Sequence, residues 1–317
     1  MERAISIIIV SYNTVDILRE CLTSVMTHCD AVTTEVIVVD NASSDGSCVM
    51  VRREFPGVRL VSLTDNKGFG GGNNAGVEVA TAPYIMLLNS DAILSCDIAT
   101  PLTCYLKEHP GVACVGPRIV LPDGRSQPKT FGNQPSLWRI AMQSTGLSRI
   151  FPKCRFLAGV DGEYRYSADL TVGWLSGVCM AMRREQFMNI GGFDSRFFMY
   201  CEDIDLSRRL AVYGRIVSLD DYPVMHYGGA SSKTLASRVT NAVWQQRNLL
   251  KIISDTSGAF AMLLARLIIL PGLLLRLFIG LAIIPKSGTR NNFTLRAAWA
   301  RLLDILGRSP IATIISS

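Results

Sequence analysis

Three carboxylates lie within four positions of the chain, at Glu202, Asp203 and Asp205. They follow an aromatic-rich segment, residues 193–200, and precede apolar residues at helical spacing. One helical turn cannot direct all three side chains the same way, but it can direct two of them into one pocket. Like charges this close are tolerated beside a cation, at a helix N-terminus or where a proton is transferred. The cluster indicates either a capped helix start on the surface or an acid–base centre in a cleft with aromatic walls.

Polar residues also follow three of the strands predicted for the first half of the chain. Apolar runs predict four strands in this half, at Ile5–Val10, Glu35–Val39, Val58–Val61 and Tyr84–Leu88. Helical patterns alternate with them, which predicts an α/β fold with a mostly parallel sheet and helices on both faces. Ligands of such sheets bind at the carboxyl ends of the strands. We therefore expect the polar segments 11–13, 40–41 and 89–91 to converge.

Two aspartates and one histidine are candidates for chemistry at these strand ends. Asp40 and Asp91 each end a predicted strand, where aspartate is also common as a turn residue. A lone carboxylate beside a pyrophosphate suits Mg²⁺ or Mn²⁺, because these ions combine one or two protein carboxylates with phosphate oxygens. His226 is one of three histidines, and a lone histidine is more often a structural residue than a ligand.

A glycine-rich segment, Gly68–Gly72, is predicted to form a loop before a short helix at Ala75–Ala80. It lacks the GxGxxG spacing after the first strand, which disfavours a dinucleotide-binding oxidoreductase. The segment indicates either a surface turn or a backbone that approaches a phosphate or sugar closely. Farther along, residues 116–171 are rich in loops, and two more strands are predicted at Val172–Met182 and Arg215–Leu219. Residues 234–256 have a helical pattern.

Composition separates the chain into two parts. Of its 317 residues, 49% are hydrophobic, and the mean hydropathy is +0.27. Nine cysteines without paired spacing favour free thiols in a reducing compartment, and the immediate first strand disfavours a signal peptide. Residues 251–317 hold eight Lys/Arg and two Asp/Glu, so this segment alone carries the whole net charge of +6. The near-neutral remainder disfavours nucleic-acid binding.

The C-terminal segment combines this basic charge with apolar sequence. Residues 259–284 are interrupted by Arg266, Pro271 and Arg276, so the longest uncharged run is nine residues, against about 20 for a spanning helix. A helical pattern follows whose apolar face comprises Leu295, Ala298, Trp299, Leu302, Leu303 and Leu306. We interpret residues 251–317 as a tail that lies on the membrane surface, after a catalytic domain at 1–250. The alternative is a buried helical hairpin.

The motifs occur in an order that is more specific than any one of them. The order is SYN (11–13), VDNASSDGS (39–47), LLNSD (87–91), WLSGVCMAMRR (174–184), GGFD (191–194), FFMYCEDIDLSRR (197–209) and HYGGAS (226–231). Over residues 4–232 the chain resembles the family 2 inverting glycosyltransferases, and most of all their bacterial rhamnosyltransferase-like branch. The resemblance implies a GT-A fold, in which a nucleotide-binding α/β half joins an acceptor-binding half. A helical, membrane-associating appendage would follow it.

The resemblance also implies roles for individual residues. Asp203 corresponds to the general base, which Glu202 would orient, and a single base without a covalent nucleophile implies inversion. Asp91 and His226 correspond to ligands of Mg²⁺ or Mn²⁺, although Asn89 replaces the first acid of the family's metal motif. The donor would contact Ser11, Tyr12, Asn13, Asp40, Asn41, Asn73, Asn89 and Asp91. The acceptor would contact Trp174, Glu202 and Asp205.

The implied activity is transfer of L-rhamnose or a related hexose from a nucleoside-diphosphate sugar. The acceptor would be a glycan or a polyprenyl-linked sugar in cell-envelope polysaccharide synthesis. The enzyme would act at the cytoplasmic face of the plasma membrane as a peripheral or monotopic protein. Two other interpretations stay open from the sequence: a non-catalytic, membrane-docked protein that binds sugar nucleotides, and a Rossmann-type oxidoreductase.

Overall fold

The structure is a computed structural model that describes residues 3–151, 154, 156–161, 169–228, 235–283 and 289–308. Its contacts divide the chain into two compact units. The first, which we call the sheet unit, comprises Met1–Gly132, Arg165–Phe198 and Glu202–Ala230. The second, the helical unit, comprises Asn133–Tyr164, Met199–Cys201 and Ser231–Ser317.

Strands and helices are numbered in chain order. The strands are β1 (Ile5–Ser11), β2 (Thr34–Asp40), β3 (Arg59–Ser62), β4 (Tyr84–Asn89), β5 (Ala92–Leu94), β6 (Val112–Gly116), β7 (Ile119–Val120), β8 (Phe131–Gly132), β9 (Asp169–Val172), β10 (Trp174–Leu175), β11 (Cys179–Arg183), β12 (Arg215–Leu219) and β13 (Val224–His226). The helices of the sheet unit are α1 (Val15–His28), α2 (Ser47–Glu54), α3 (Gly68–Val79), α4 (Ala99–Glu108), α7 (Arg184–Asn189) and α8 (Glu202–Leu210). Those of the helical unit are α5 (Leu137–Thr145), α6 (Leu147–Ile150), α9 (Leu235–Ile283) and α10 (Thr289–Ile305).

The main sheet has eight strands in the order β3-β2-β1-β4-β11-β6-β12-β9. The first four run parallel, as the alternating pattern predicts, and the inner residues of β1, β2 and β4, such as Ile8 and Leu87, are fully buried. β11 is antiparallel to both neighbours, so the sheet is mixed. The single strand predicted at Val172–Met182 is divided: β10 pairs with β8 in a separate two-stranded sheet, and residues 176–178 connect it to β11 of the main sheet.

The glycine-rich segment is not the loop that its composition predicts. It forms the first turns of α3, which begins at Gly68. A Cβ on Gly72 would lie 2.6 Å from Cγ1 of Val10, and one on Gly76 would lie 2.5 Å from Cγ2 of Ile8. These glycines therefore let the helix pack closely against β1, a role that sequence composition alone does not separate from ligand binding.

The helical unit is built around α9. A non-helical residue, Gly258 (φ 84°, ψ 170°), divides α9 into segments 235–257 and 259–283. The first segment packs against α10 through a small apolar cluster that includes Val243 and Ala300. Arg301 Nε donates to Gln246 Oε1 over 2.7 Å beside it. The domain boundary expected at residue 250 falls inside this first segment.

The second segment of α9 has two unlike faces. Ala265 and Leu273 are buried in the helical unit, whereas Phe260 and Phe278 are 72% and 71% exposed. Within the described residues, the part of α9 from 235 to 279, which includes the break at Gly258, is long and apolar enough to cross a membrane, by length and composition alone. The apolar face predicted along α10 is only partly buried: Ala298 and Leu302 are covered, while Trp299 and, just after the helix, Leu306 are exposed.

Candidate functional site

Strand register brings the first group of predicted site residues together. Ser11 of β1 aligns with Asp40 of β2, and Val10 aligns with Asn89 of β4. The Asp40 carboxylate is almost fully buried, and its Oδ2 accepts a 3.0 Å hydrogen bond from the backbone of Ser43. Its Oδ1 has no partner among the described residues. An unpaired, buried acceptor at a strand end suits a hydroxyl or N–H group of a ligand.

The other residues predicted to contact the donor differ in exposure and in the hydrogen bonds that their side chains already make. Tyr12 is 46% exposed, so its ring is open to a ligand. Asn13 has a positive φ of 53°, and its Oδ1 accepts from the backbone of Ser44. The Asn41 amide is hydrogen-bonded to the backbone around Gly68, and Asn73 donates to a carbonyl within α3. The three asparagines thus hold local structure, and their donor contacts stay predictions.

Asp91 and His226 meet as the motif order predicts. The antiparallel pairing of β13 with β5 places His226 opposite Ala92, next to Asp91 in the chain. His226 Nε2 lies 2.9 Å from Asp91 Oδ1, and both residues are buried. The backbone N–H of Tyr227 also donates to the carbonyl of Asp91 over 3.0 Å. The end of the motif at 226–231, from Gly229 onward, lies outside the described residues.

A residue that the sequence analysis missed completes this group. Gln127 Oε1 lies 2.8 Å from His226 Nδ1, on the opposite side of the ring from Asp91. The amide nitrogen of Asn89 lies 3.3 Å from His226 Nε2. No local pattern marks Gln127, since 99 positions separate it from the histidine. Asn89, which replaces an acid of the family motif, therefore contacts the histidine directly.

The Asp91–His226 pair has the donor chemistry of a divalent cation site. One carboxylate and one imidazole nitrogen face each other in a buried setting. In the described part of the chain, no group of three histidine, cysteine, aspartate or glutamate side chains could hold a metal ion by itself. A cation here would need further oxygens, and Mg²⁺ and Mn²⁺ commonly take these from substrate phosphates and water. The two residues fit that kind of site.

The acidic cluster forms the first turn of α8. Glu202 is buried, and its Oε2 has no partner among the described residues. Burial, and next the charge of Asp203, raise the pKa of Glu202 to about 8. The pKa values of two neighbouring acids move apart in this way, because ionising both would place two negative charges close together. Glu202 is therefore protonated near pH 7, and Asp203 carries the negative charge.

Asp203 is held by backbone donors on both sides. Its Oδ1 accepts from the backbone N–H of Ile204 over 2.8 Å, and its Oδ2 accepts from that of Gly177 over 3.2 Å. The next residue, Val178, accepts from the backbone N–H of Asn89 over 2.9 Å. The break between β10 and β11 thus links Asp203 to the strand end that carries Asn89. The backbone thus connects the two groups of residues that the sequence analysis assigns to the donor and to the base.

Two of the residues predicted to contact the acceptor substrate are buried. Asp205 is 1% exposed, and its carboxylate pairs with Arg208 and Arg209 over 2.7 Å each. Trp174 is 4% exposed on β10. A paired, buried carboxylate and a buried indole favour structural roles, so acceptor contact by Asp205 and Trp174 stays a prediction without support from the geometry.

Comparison with known proteins agrees with the motif order. Residues 6–191 match the family model of glycosyl transferase family 2. The N-acetylglucosaminyl-diphospho-decaprenol L-rhamnosyltransferase of Mycobacterium tuberculosis is 30% identical over 209 residues, 62% of this chain and 67% of that protein. The rhamnosyltransferase WbbL of Escherichia coli strain K12 is 28% identical over 245 residues, 73% of this chain and 86% of that protein.

Solved structures extend the similarity to the fold. A mannosyltransferase from Pyrobaculum calidifontis, in complex with GDP-Man and Mn²⁺, superposes with a TM-score of 0.55 at 17% identity, covering 96% of this chain and 88% of that one. TarS of S. aureus superposes with a TM-score of 0.54 at 17% identity, covering 98% of this chain and 50% of that one. The GT-A fold expected from the motifs is confirmed, and the oxidoreductase and non-catalytic interpretations are not favoured.

Proposed function

The chain belongs to glycosyl transferase family 2, and on that premise we propose that it is an inverting rhamnosyltransferase of cell-envelope polysaccharide synthesis. It would transfer L-rhamnose or a related hexose from a nucleoside-diphosphate sugar to a glycan or a polyprenyl-linked acceptor. The observation that carries the proposal is the first turn of α8. There, a buried, protonated Glu202 leaves the negative charge of the pair on Asp203, which backbone N–H groups hold beside the strand ends.

Asp203 serves as the general base in this proposal. It removes the proton from the acceptor hydroxyl while that oxygen attacks the anomeric carbon from the face opposite the leaving group. The N–H groups of Gly177 and Ile204 fix the carboxylate without neutralising it. Glu202 orients its neighbour and withholds a second negative charge from the site. One base in a single displacement inverts the anomeric configuration.

The strand ends bind the donor. Tyr12 offers an open ring for the nucleobase, and the unpaired oxygen of Asp40 accepts from a hydroxyl or N–H group of the nucleoside. Asp91 and His226 would hold Mg²⁺ or Mn²⁺, which supplies positive charge to the departing pyrophosphate. Ser11, which is fully buried, shapes the loop through its hydroxyl contact with Thr14 (3.0 Å).

The nature of donor and acceptor rests on relatives. Two proteins of similar sequence are named as rhamnosyltransferases, and the name of one includes a diphospho-decaprenol acceptor. A lipid-linked acceptor places the reaction at a membrane, and in this proposal the enzyme lies at its cytoplasmic face. The exposed apolar face of segment 259–283 supports contact with lipid, since it carries Phe260, Leu267 and Phe278 at the surface.

A donor screen tests the activity. Purified protein receives a panel of sugar nucleotides with Mn²⁺, a short polyprenyl-diphosphate-linked acceptor is added, and the product is analysed by mass and NMR. We expect a deoxyhexose product whose new bond has the anomeric configuration opposite to that of the donor. Retention of configuration would contradict the single-displacement mechanism. Transfer of a different sugar only would contradict the rhamnose assignment.

A vesicle assay tests the membrane contact separately. The variant Phe260→Glu/Phe278→Glu places charge on the exposed face of α9 without touching its packed face. Burying two phenylalanine side chains is worth at least about 3 kcal/mol, so affinity for anionic vesicles should fall at least about 100-fold. Val212→Glu, at a site 77% exposed in the sheet unit, is the matched control and should bind as the unsubstituted protein does. Equal binding by all three proteins would refute the membrane contact.

A further inference from the structure

The Gln127 side chain has no role in the chemistry described so far, yet it has a specific partner. Its Oε1 is 2.8 Å from Nδ1 of His226, and Gln127 itself is only half-buried. A side-chain amide at a half-buried position could satisfy its hydrogen bonds in water. In the structure, its oxygen instead faces a ring nitrogen of the buried His226.

The backbone around Gln127 is fixed by a short hairpin. The N–H of Gln127 donates to the carbonyl of Ile119 over 2.9 Å, and Val120 forms a bridge with Ser126. Ile119 belongs to β7, which pairs with β13, the strand that ends at His226. The other neighbour of β13 is β5, which begins one residue after Asp91. The three-stranded sheet β5-β13-β7 therefore sets Asp91, the histidine and Gln127 side by side.

A neutral imidazole has one N–H group and one lone pair, and its surroundings decide which nitrogen has which. Gln127 presents its Oε1, an acceptor, to Nδ1 and so favours a proton on that nitrogen. Asn89 Nδ2 is a donor, and it faces Nε2 over 3.3 Å, where a lone pair would receive it. Both amides favour the same tautomer. The Asp91 carboxylate, 2.9 Å from Nε2, is an acceptor and by itself favours a proton on Nε2. The Nδ1–H tautomer is therefore the one that His226 needs when a cation takes the place of that proton.

We propose that Gln127 is a positioning residue for the metal site: its Oε1 accepts from Nδ1–H of His226 and so stabilises the tautomer whose Nε2 can bind a divalent cation together with Asp91. This inference rests on the proposed metal-assisted transfer and deepens it. Loss of a group that hydrogen-bonds to a metal-binding histidine commonly weakens metal affinity by about 10- to 100-fold. Gln127 itself contacts neither the cation nor the substrate.

The test measures Mn²⁺ binding to the full chain in the presence of uridine diphosphate, by electron paramagnetic resonance. Gln127→Met keeps the size of the side chain and removes the acceptor. We expect about 10- to 100-fold weaker Mn²⁺ binding, with uridine diphosphate binding in EDTA unchanged. Gln127→Glu keeps the acceptor and should restore Mn²⁺ binding. Ser126→Ala, an exposed neighbour in the same hairpin, should bind Mn²⁺ normally.

The dependence of the transfer rate on Mn²⁺ is a second measurement, which a purely structural role of Gln127 would not change. In Gln127→Met, the Mn²⁺ concentration for half-maximal transfer should rise by the same factor, while kcat at saturating Mn²⁺ stays within about threefold. Unchanged Mn²⁺ binding in Gln127→Met, or an equal loss of uridine diphosphate binding in EDTA, would overturn the inference alone. If the unsubstituted protein binds no Mn²⁺ with the nucleotide, the proposed metal site fails as well.

Discussion

Two of the buried acidic groups in the sheet unit, Asp91 and Glu202, have different neighbours. Asp91 faces the imidazole of His226 at 2.9 Å, with an amide nitrogen close by. Glu202 faces the charge of Asp203, and burial together with that charge raises its pKa to about 8. The first arrangement suits a cation, because a carboxylate oxygen and an imidazole nitrogen, two common metal ligands, lie side by side there. The second suits proton transfer, because one acid stays neutral beside an anionic one.

The comparison shows that the spacing of acids in the sequence does not assign their roles. Glu202, Asp203 and Asp205 are close in the chain, but their surroundings differ. Asp205 is paired with two arginines, Glu202 is protonated, and Asp203 accepts from two backbone N–H groups. Burial and partners separate three similar residues into the proposed base, a neutral neighbour and a structural ion pair.

The largest effect within this comparison is expected at the cation site. Asp91→Asn removes the carboxylate that faces His226, so stabilisation of the leaving pyrophosphate should fall by about 3 kcal/mol or more, which is at least about 100-fold in kcat. EDTA should suppress transfer by the unsubstituted protein, and Mn²⁺ or Mg²⁺ should restore it. Asp221→Asn, at an exposed acid of the same unit, is the control. Full activity in excess EDTA would contradict the cation site and leave Asp91 as a sugar ligand.

An intermediate effect is expected where the backbone holds Asp203. A Cβ on Gly177 would lie 2.7 Å from the ring of Phe69, so Gly177→Ala should displace the N–H that donates to the carboxylate. Loss of one hydrogen bond to a charged group costs about 1.5–3 kcal/mol, so kcat should fall about 10- to 100-fold. Adding Phe69→Leu makes room for the new methyl group and should recover part of the rate. If the double variant is no faster than Gly177→Ala, the steric explanation is wrong.

Substitution of Glu202 is expected to have the smallest effect on kcat. It should clearly change how the free energy of unfolding depends on pH. The unfolded chain releases the Glu202 proton near its ordinary pKa of about 4.3, whereas the folded protein keeps it until about pH 8. The folded state thus binds more protons between these values, and its free energy of unfolding falls as pH rises through that window. The glutamine in Glu202→Gln is neutral at every pH, so this variant should not show that fall in the free energy of unfolding.

Urea unfolding at pH 6 and pH 9 measures the effect. The unsubstituted protein should lose more stability over this interval than Glu202→Gln does, and kcat of the variant at pH 7 should stay within about threefold. Identical changes in both proteins would show that Glu202 ionises normally in the folded state. A large loss of kcat would instead give Glu202 a direct part in the reaction.

Much of the fold follows from local patterns. The strands at Ile5, Glu35, Tyr84 and Arg215 are apolar runs with polar ends, and the structure places them within a residue or two of the prediction. The composition of the glycine segment at 68–72 predicts a loop, but the segment forms a helix. Gly72 is explained by its contact with Val10 of β1, and Gly68 and Gly70 by contacts with Phe198 and Phe193, all of them distant in the chain. No window of local sequence contains that information.

The site divides in the same way. Asp91, His226 and Asp203 belong to ordered motifs, so the sequence marks them. Gln127 and the role of Gly177 are not marked, because they depend on a hairpin beside β13 and on a break between two short strands. Arg208 and Arg209, which pair with Asp205, lie one turn away on α8, so the sequence allows these ion pairs. Only the structure shows that the Asp205 carboxylate is buried and bonded to both.

The most direct test of the account is the transfer rate of Asp203→Asn beside that of Glu202→Gln, with donor affinity measured for both. Loss of a general base costs about 10²- to 10⁴-fold, so Asp203→Asn should lose transfer by that factor while it binds sugar nucleotide as tightly as the unsubstituted protein. Glu202→Gln should remain active. Near-normal turnover by a folded Asp203→Asn protein would contradict the assignment of the base and move it to Glu202.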